Sequence, residues 1–181
     1  PKAMEALAEG IEIFYDRALE AVCQCEAPVV LVGANFDETI TYPAFFTKHM
    51  TPWLQRASGR LHAADKLMLC HTDGENKGLI DILTDIGMDV AEALCPYPMT
   101  KLDLATYYRR WREAGITIFG GIPSNILVPE SYSDAEFESY VRGLFTALAP
   151  GDRFILGVAD TTPPQAPLER LQRIGELVQE Y

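Results

Sequence analysis

The stretch LMLCHTDGENKG, residues 67–78, runs four apolar residues straight into His71, Asp73 and Glu75, with Gly74 set between the two acids. A continuous apolar run of this length reads as a strand buried on both faces, and the glycine marks where the chain turns. Side chains alternate along a strand, so His71 and Asp73 project together while Cys70 points to the opposite face. The same event recurs on either side. PVVLVGAN (28–35), KLMLCHTD (66–73), MDVAEALCP (88–96), ITIFGGIPS (116–124) and RFILGVAD (153–160) are each an apolar run ending in small or polar residues.

Helical patterns fill the gaps. Residues 3–22 place Met4, Leu7, Ile11, Phe14, Tyr15, Leu19 and Val22 at helical spacing, and further helices are expected over 42–64, 78–86, 104–114, 134–148 and 167–180. Ser133 followed by Glu136 is a capping-box pattern at the start of the fifth. Strand alternating with helix five times, each strand apolar throughout, predicts an α/β fold with a parallel sheet wrapped by helices. Gly33 stands alone, and Gly120 with Gly121 lacks the remaining glycines of a dinucleotide turn. Polar residues instead gather at the C-terminal end of strand after strand, the pattern of the active face of a (β/α)8 barrel.

The 181 residues, 48% of them hydrophobic, supply one sizeable core, so residues 1–181 are read as a single domain. A formal charge of −11 with no run of Lys or Arg excludes a nucleic-acid partner. The apolar runs are too short for a membrane span. Glu5, Glu9, Glu12, Asp16 and Glu20 stand where an export signal has a basic region and an apolar block, so a cytoplasmic protein with Cys23, Cys25, Cys70 and Cys95 reduced is expected.

The strand ends carry Asn35 and Asp37, His71 and Asp73, Glu92 and Cys95, Ser124 and Asn125, and Asp160. Asp37, Asp73 and Asp160 each suit a helix cap. Gathered at one mouth they do more than cap, because carboxylates around a single imidazole repel one another unless a metal, a proton or a cationic substrate intervenes.

Four stretches carry a resemblance. LCHTDGE, then GMDVAEALCPYPM, then GGIPSNIL with SDAEFESYVRGLFTALAPGDRFILGVADTTPPQAPLERLQRIGELV together resemble the C-terminal half of the uroporphyrinogen decarboxylase superfamily. That superfamily includes the methyltransferases that move methyl groups between corrinoid proteins and thiols. The resemblance implies a (β/α)8 TIM barrel of which this chain supplies about five βα units, with the remaining barrel half to be provided from elsewhere. It implies a methyltransferase or demethylase with a small-molecule methyl donor or acceptor and a corrinoid carried by a partner protein. The family's zinc site, a His-x-Cys and a second Cys, falls on His71, Asp73 and Asp160. Both thiolates become carboxylates, a harder donor set for a divalent metal, zinc foremost, with iron and manganese also accommodated.

Asp37, Asp73 and Glu92 are then the candidate catalytic acids, and Asn35 and Ser124 the candidate cofactor-binding residues. Cys95, at the end of the third strand, is a further source of sulfur. Two other readings stand beside this one. In the first, a metal-free decarboxylase (a lyase) acts on uroporphyrinogen or a related acid, with Asp37 or Asp73 stabilising a protonated cationic intermediate. In the second, the barrel is non-catalytic and holds a corrinoid or a protein partner.

Overall fold

The computed structural model describes residues 2–33 and 35–181. Five parallel strands, β1 (Val29–Val32), β2 (Leu67–His71), β3 (Val90–Leu94), β4 (Thr117–Ile122) and β5 (Phe154–Val158), form one sheet in chain order. Helix α1 (Lys2–Cys23) precedes them, and α2 (Pro43–Phe45), a π-helical turn (Phe46–Met50) and α3 (Thr51–Ala63) make one continuous helical run between β1 and β2. Helices α4 (Leu104–Glu113), α5 (Asp134–Leu148) and α6 (Leu168–Glu180) follow β3, β4 and β5. The wide π turn ends immediately before Pro52, which has no N–H to donate back to Lys48 and whose ring would press on that carbonyl in a regular helix.

The strand order never reverses. Right-handed crossovers that always step in one direction return every helix to the same face of the sheet. The burial pattern records this directly: Met68, Cys70, Ala91 and Ile118 are buried on the helical face, while Leu31, Leu67, Phe119 and Ile155 are exposed on the other. Register pairs of Leu31 with Leu69 and of Phe119 with Ile155 put these residues side by side. The expectation of strands buried on both faces is therefore corrected: helices cover one face and the other is bare among the described residues. A doubly wound sheet, covered on both sides, is excluded by the same order.

Under the helices the core is close-packed. Tyr107 and Trp111 on α4 are fully buried, Phe36 packs edge to face on Phe46 with ring centroids 5.1 Å apart, and Leu79, Leu83 and Ile86 lie beneath them. Residues 78–86 do not form the expected α-helix; only a 3-10 turn, Ile82–Asp85, appears there. The Trp111 indole donates to the Ile80 carbonyl at 3.0 Å, taking the acceptor that a helix would use, and Gln55 likewise holds the Asp85 carbonyl at 2.8 Å. Tertiary bonds thus outcompete a short helix flanked by two glycines. Ser133 and Glu136 do form the reciprocal capping box on α5. On α1 only Leu19 is buried; Met4, Leu7, Ile11 and Phe14 form an uncovered stripe. Its C-terminal end is tied to the body by Lys66, which is buried and donates to the carbonyls of Cys25 and Ala27 at 2.5 and 2.8 Å.

Strand β3 is irregular where it meets β4. The register shifts between Ala91 and Leu94, and Ala93 sits at φ +57°, a left-handed conformation unusual for a residue with a Cβ. Gly120 makes room for the bulge, since a Cβ there would lie 2.8 Å from the Leu94 nitrogen and 2.9 Å from its oxygen. Gly120→Ala is expected to cost about 1–3 kcal/mol from backbone strain before any clash is counted. Urea unfolding at constant m-value checks it; an unchanged midpoint would show that the bulge relaxes freely.

Candidate metal centre

His71 closes β2 and pairs in register with Glu92 on β3, both on the face away from the helices. Its Nδ1 lies 2.7 Å from Glu92 Oε2. On the other side of the ring, Nε2 is 3.2 Å from Asp73 Oδ1 and 3.9 Å from Asp160 Oδ1. Ligand-capable atoms of His71, Asp73 and Asp160 all lie within 4.8 Å of one another.

Asp160 comes from the far side of the sheet. With strands about 4.8 Å apart, a flat sheet would leave the ends of β2 and β5 roughly 14 Å from each other. The two side chains meet because the sheet curls toward its bare face. Asp160 itself is at φ +57°, a conformation that a short polar side chain tolerates.

The loop after β2 is held by residues that do not face the cluster. Asp37 accepts from the Thr39 N–H at 2.7 Å, from the Thr39 hydroxyl at 2.5 Å and from the Glu75 N–H at 3.2 Å. These bonds, led by the Thr39 hydroxyl, hold its carboxyl below the usual range. Gly74 is required beside it: at φ +104°, a Cβ would come within 3.0 Å of the Asp37 Cβ and Oδ2. Glu75, the second acid of the opening stretch, accepts from the Lys77 and Lys101 N–H groups at 3.0 and 2.9 Å. Asn76, fully buried, donates to the Thr72 carbonyl at 2.6 Å. Lys101 reaches Glu38 at 2.9 Å and closes the lacing across three loops. Sequence reading passed over Thr72, Asn76 and Lys101, although an Asn two residues after a turn glycine is a recognisable turn-stabilising signal.

Of the candidate residues, His71, Asp73, Asp160 and Glu92 are brought together. Asp37 is spent on bonds to Thr39 and Glu75, whereas Asn35, exposed after β1, donates its side-chain amide to Asp73 Oδ2 at 3.0 Å and so joins the cluster's edge. Ser124 opens the 3-10 turn Ser124–Leu127 and points its hydroxyl at Met99 Sδ, 3.4 Å away. Cys70 is buried on the opposite face, and burial, with Asp89 adding to it, pushes its thiol up to about 12. Cys95 is buried too, and burial together with Asp73 and Asp160 pushes it up to about 11, so it stays a neutral thiol beside the acids. A Ser58–His62–Asp89 series at the other end of the sheet is a structural clip. The Ser58 hydroxyl donates to the Gly87 carbonyl at 2.9 Å, and Asp89 also accepts from the Met68 N–H at 2.7 Å.

Two observations fit a cation at the cluster. Asp73 Oδ1 is buried without a hydrogen-bond partner, although Nε2 stands 3.2 Å away. Two ligands on a tetrahedral ion with bonds near 2.0–2.1 Å are themselves about 3.3 Å apart, close to that spacing. Asp73 is also held above the usual carboxylate range, chiefly by burial, with Asp160, Glu92 and Asp37 adding to it and His71 opposing. A carboxyl with a raised folded pKa contributes stability below its unfolded value of 3.8 and loses it as pH rises through the folded value. Asp73→Asn is therefore expected to raise the melting temperature of metal-free protein at neutral pH, with the gain vanishing below about pH 3.8. A variant less stable than wild type at neutral pH would show that the Asp73 charge is compensated.

No family model matches this sequence, and no curated protein matches it. Among solved structures the chain is similar to a methyltransferase from Methanosarcina mazei, at 14% identity and a TM-score of 0.63, over 98% of this chain and 49% of that one. The chain spans about half the length of that structure, and the likeness is one of fold: five consecutive parallel βα units with their strand ends turned to one side.

Proposed function

We propose that this chain forms part of a (β/α)8 barrel of the uroporphyrinogen decarboxylase type, that its mouth holds a divalent metal on His71, Asp73 and Asp160, and that it serves methyl transfer. The observation that carries the reading is the meeting of His71 Nε2, the unpartnered Asp73 Oδ1 and Asp160 across a curled sheet. Similarity of fold to a methyltransferase supports the reaction class.

When bound, the metal supplies Lewis acidity toward a methyl donor or acceptor. The chain's own residues bind and orient. Asp73 and Asp160 provide negative charge for a cation, and His71 provides a neutral nitrogen. One imidazole and two carboxylates suit zinc, iron or manganese better than they suit a thiolate-seeking metal. In the transfer the acceptor's lone pair forms the new bond to the methyl carbon as the donor departs with the old bonding pair, and the acceptor's proton leaves to solvent. A corrinoid on a partner protein is the proposed donor or acceptor.

A metal-free decarboxylase is the second reading, favoured by one observation: burial keeps the Asp73 carboxyl above its ordinary range, which suits a proton donor. Elemental analysis of the full-length protein, dialysed without chelator, separates the two. Wild type is expected to hold about one equivalent of metal, as expected of a single three-residue site, and Asp160→Ala to lose most of it together with activity. Asp160→Ala with normal metal and no activity would remove Asp160 from the ligands. Metal-free wild type with full activity would hand the site to the proton-donor reading.

The bare sheet face belongs to the same proposal. Leu31, Leu67, Phe119 and Ile155 are exposed there, and covering what remains open of each would contribute on the order of 1 kcal/mol. Parallel strands left open at β1 and β5 are templates for further pairing. Additional βα units closing the barrel are the proposed occupant. The 181-residue chain expressed by itself is expected to self-associate in sedimentation experiments; a monodisperse monomer with cooperative unfolding would overturn the closure.

A further inference from the structure

We infer that Glu92 is a positioning residue that works through His71, fixing the imidazole tautomer so that the Nε2 lone pair faces Asp73 and Asp160. The inference rests on the metal reading for its consequence, though its geometry stands alone.

A neutral imidazole carries one N–H and one lone pair, and the partner of one nitrogen decides the state of the other. Glu92 Oε2 lies 2.7 Å from Nδ1, while Asp73 Oδ1 and Asp160 Oδ1 lie on the Nε2 side at 3.2 and 3.9 Å. Glu92 is thus at the ring nitrogen turned away from the cluster, and the ligand-capable group consists of His71, Asp73 and Asp160 without it. A carboxylate accepting the far N–H of a ligating histidine holds the ring in place and raises its basicity.

The backbone is arranged to keep Glu92 there. Its carbonyl accepts from both the Thr72 N–H and the Thr72 hydroxyl, each at 2.8 Å, and Thr72 is fully buried. The next residue, Ala93, takes the left-handed conformation of the β3 bulge, and both Ala93 and Leu94 turn into the core. A strand that continued to alternate would have put Leu94 on the same face as Glu92. Strain retained next to a site residue marks a backbone whose direction is held by its surroundings.

The test uses the full-length protein with nitrogen-15-labelled histidine, metal-free and at about pH 9, above imidazole titration. Long-range proton–nitrogen spectra are expected to show His71 as the Nδ1–H tautomer in wild type and shifted toward Nε2–H in Glu92→Ala. Affinity for zinc is expected to fall about 10–100-fold in Glu92→Ala, and to recover in part in Glu92→Gln, whose amide oxygen still accepts the Nδ1 proton. The visible spectrum of the cobalt-loaded protein should keep its shape in Glu92→Ala, since no ligand is lost; a changed spectrum would make Glu92 a ligand and overturn the inference. An Nε2–H tautomer in wild type, or a wild-type tautomer in Glu92→Ala, would also overturn it. Wild type that binds no zinc yet shows the Nδ1–H tautomer lost in Glu92→Ala would sink the metal reading and leave the role of Glu92 intact.

Discussion

Four right-handed crossovers stepping in one direction bring every crossover helix to one face of the sheet, and the rest of the molecule follows from that constraint. With packing on one face only, the sheet is free to curl toward the other. Curling is what allows a side chain just beyond β5 to reach one at the end of β2, three strands away. His71 and Asp160 are 89 positions apart in the chain (160 − 71), yet their polar atoms stand 3.9 Å from each other. The site is therefore a product of topology before it is a product of any single loop.

Charge arranges itself around that meeting point in two ways. Some acids are consumed by backbone donors: Asp37 by Thr39 and Glu75, and Glu75 by Lys77 and Lys101. These carboxylates stabilise the frame and face away from the cluster. Asp73 is the opposite case: its Oδ2 accepts from the Asn35 amide, but its buried Oδ1 has nothing to accept from, and burial holds the carboxyl toward the protonated form. Leaving such a group unpaired is costly in a folded protein, and the cost recurs at sites where a ligand is meant to supply the missing partner.

The α/β class, five strands in order and most helices could be read from periodicity, because apolar runs and capping signals such as Ser133 with Glu136 are local properties. The pairing of His71 with Asp73 followed from strand alternation, and the strand-end pattern put Asp160 at the same mouth, whereas its place beside His71 as a ligand came only through family resemblance, since no spacing in the chain announces a contact made by curvature. The helix expected over residues 78–86 failed because its acceptors are taken by Trp111 and Gln55, which no window of that length contains. Apolar strands looked buried on both sides because periodicity records a residue's apolarity and not which face is covered; Leu31, Leu67 and Ile155 are exposed on the face that carries no helix among the described residues. Asp37 suits both chemistry and scaffolding, since both uses select a carboxylate, and in the structure it accepts from Thr39 and Glu75.

The lacing of Asp37, Glu75, Glu38 and Lys101 has an evolutionary meaning. It fixes the shape of the mouth without engaging the atoms that face into it, so donor identity and loop architecture are inherited separately. Substitutions at Asp73 or Asp160 can change the charge and polar atoms at the mouth while the loops keep their course. A mouth built this way can exchange the groups it presents without redrawing the loops that carry them.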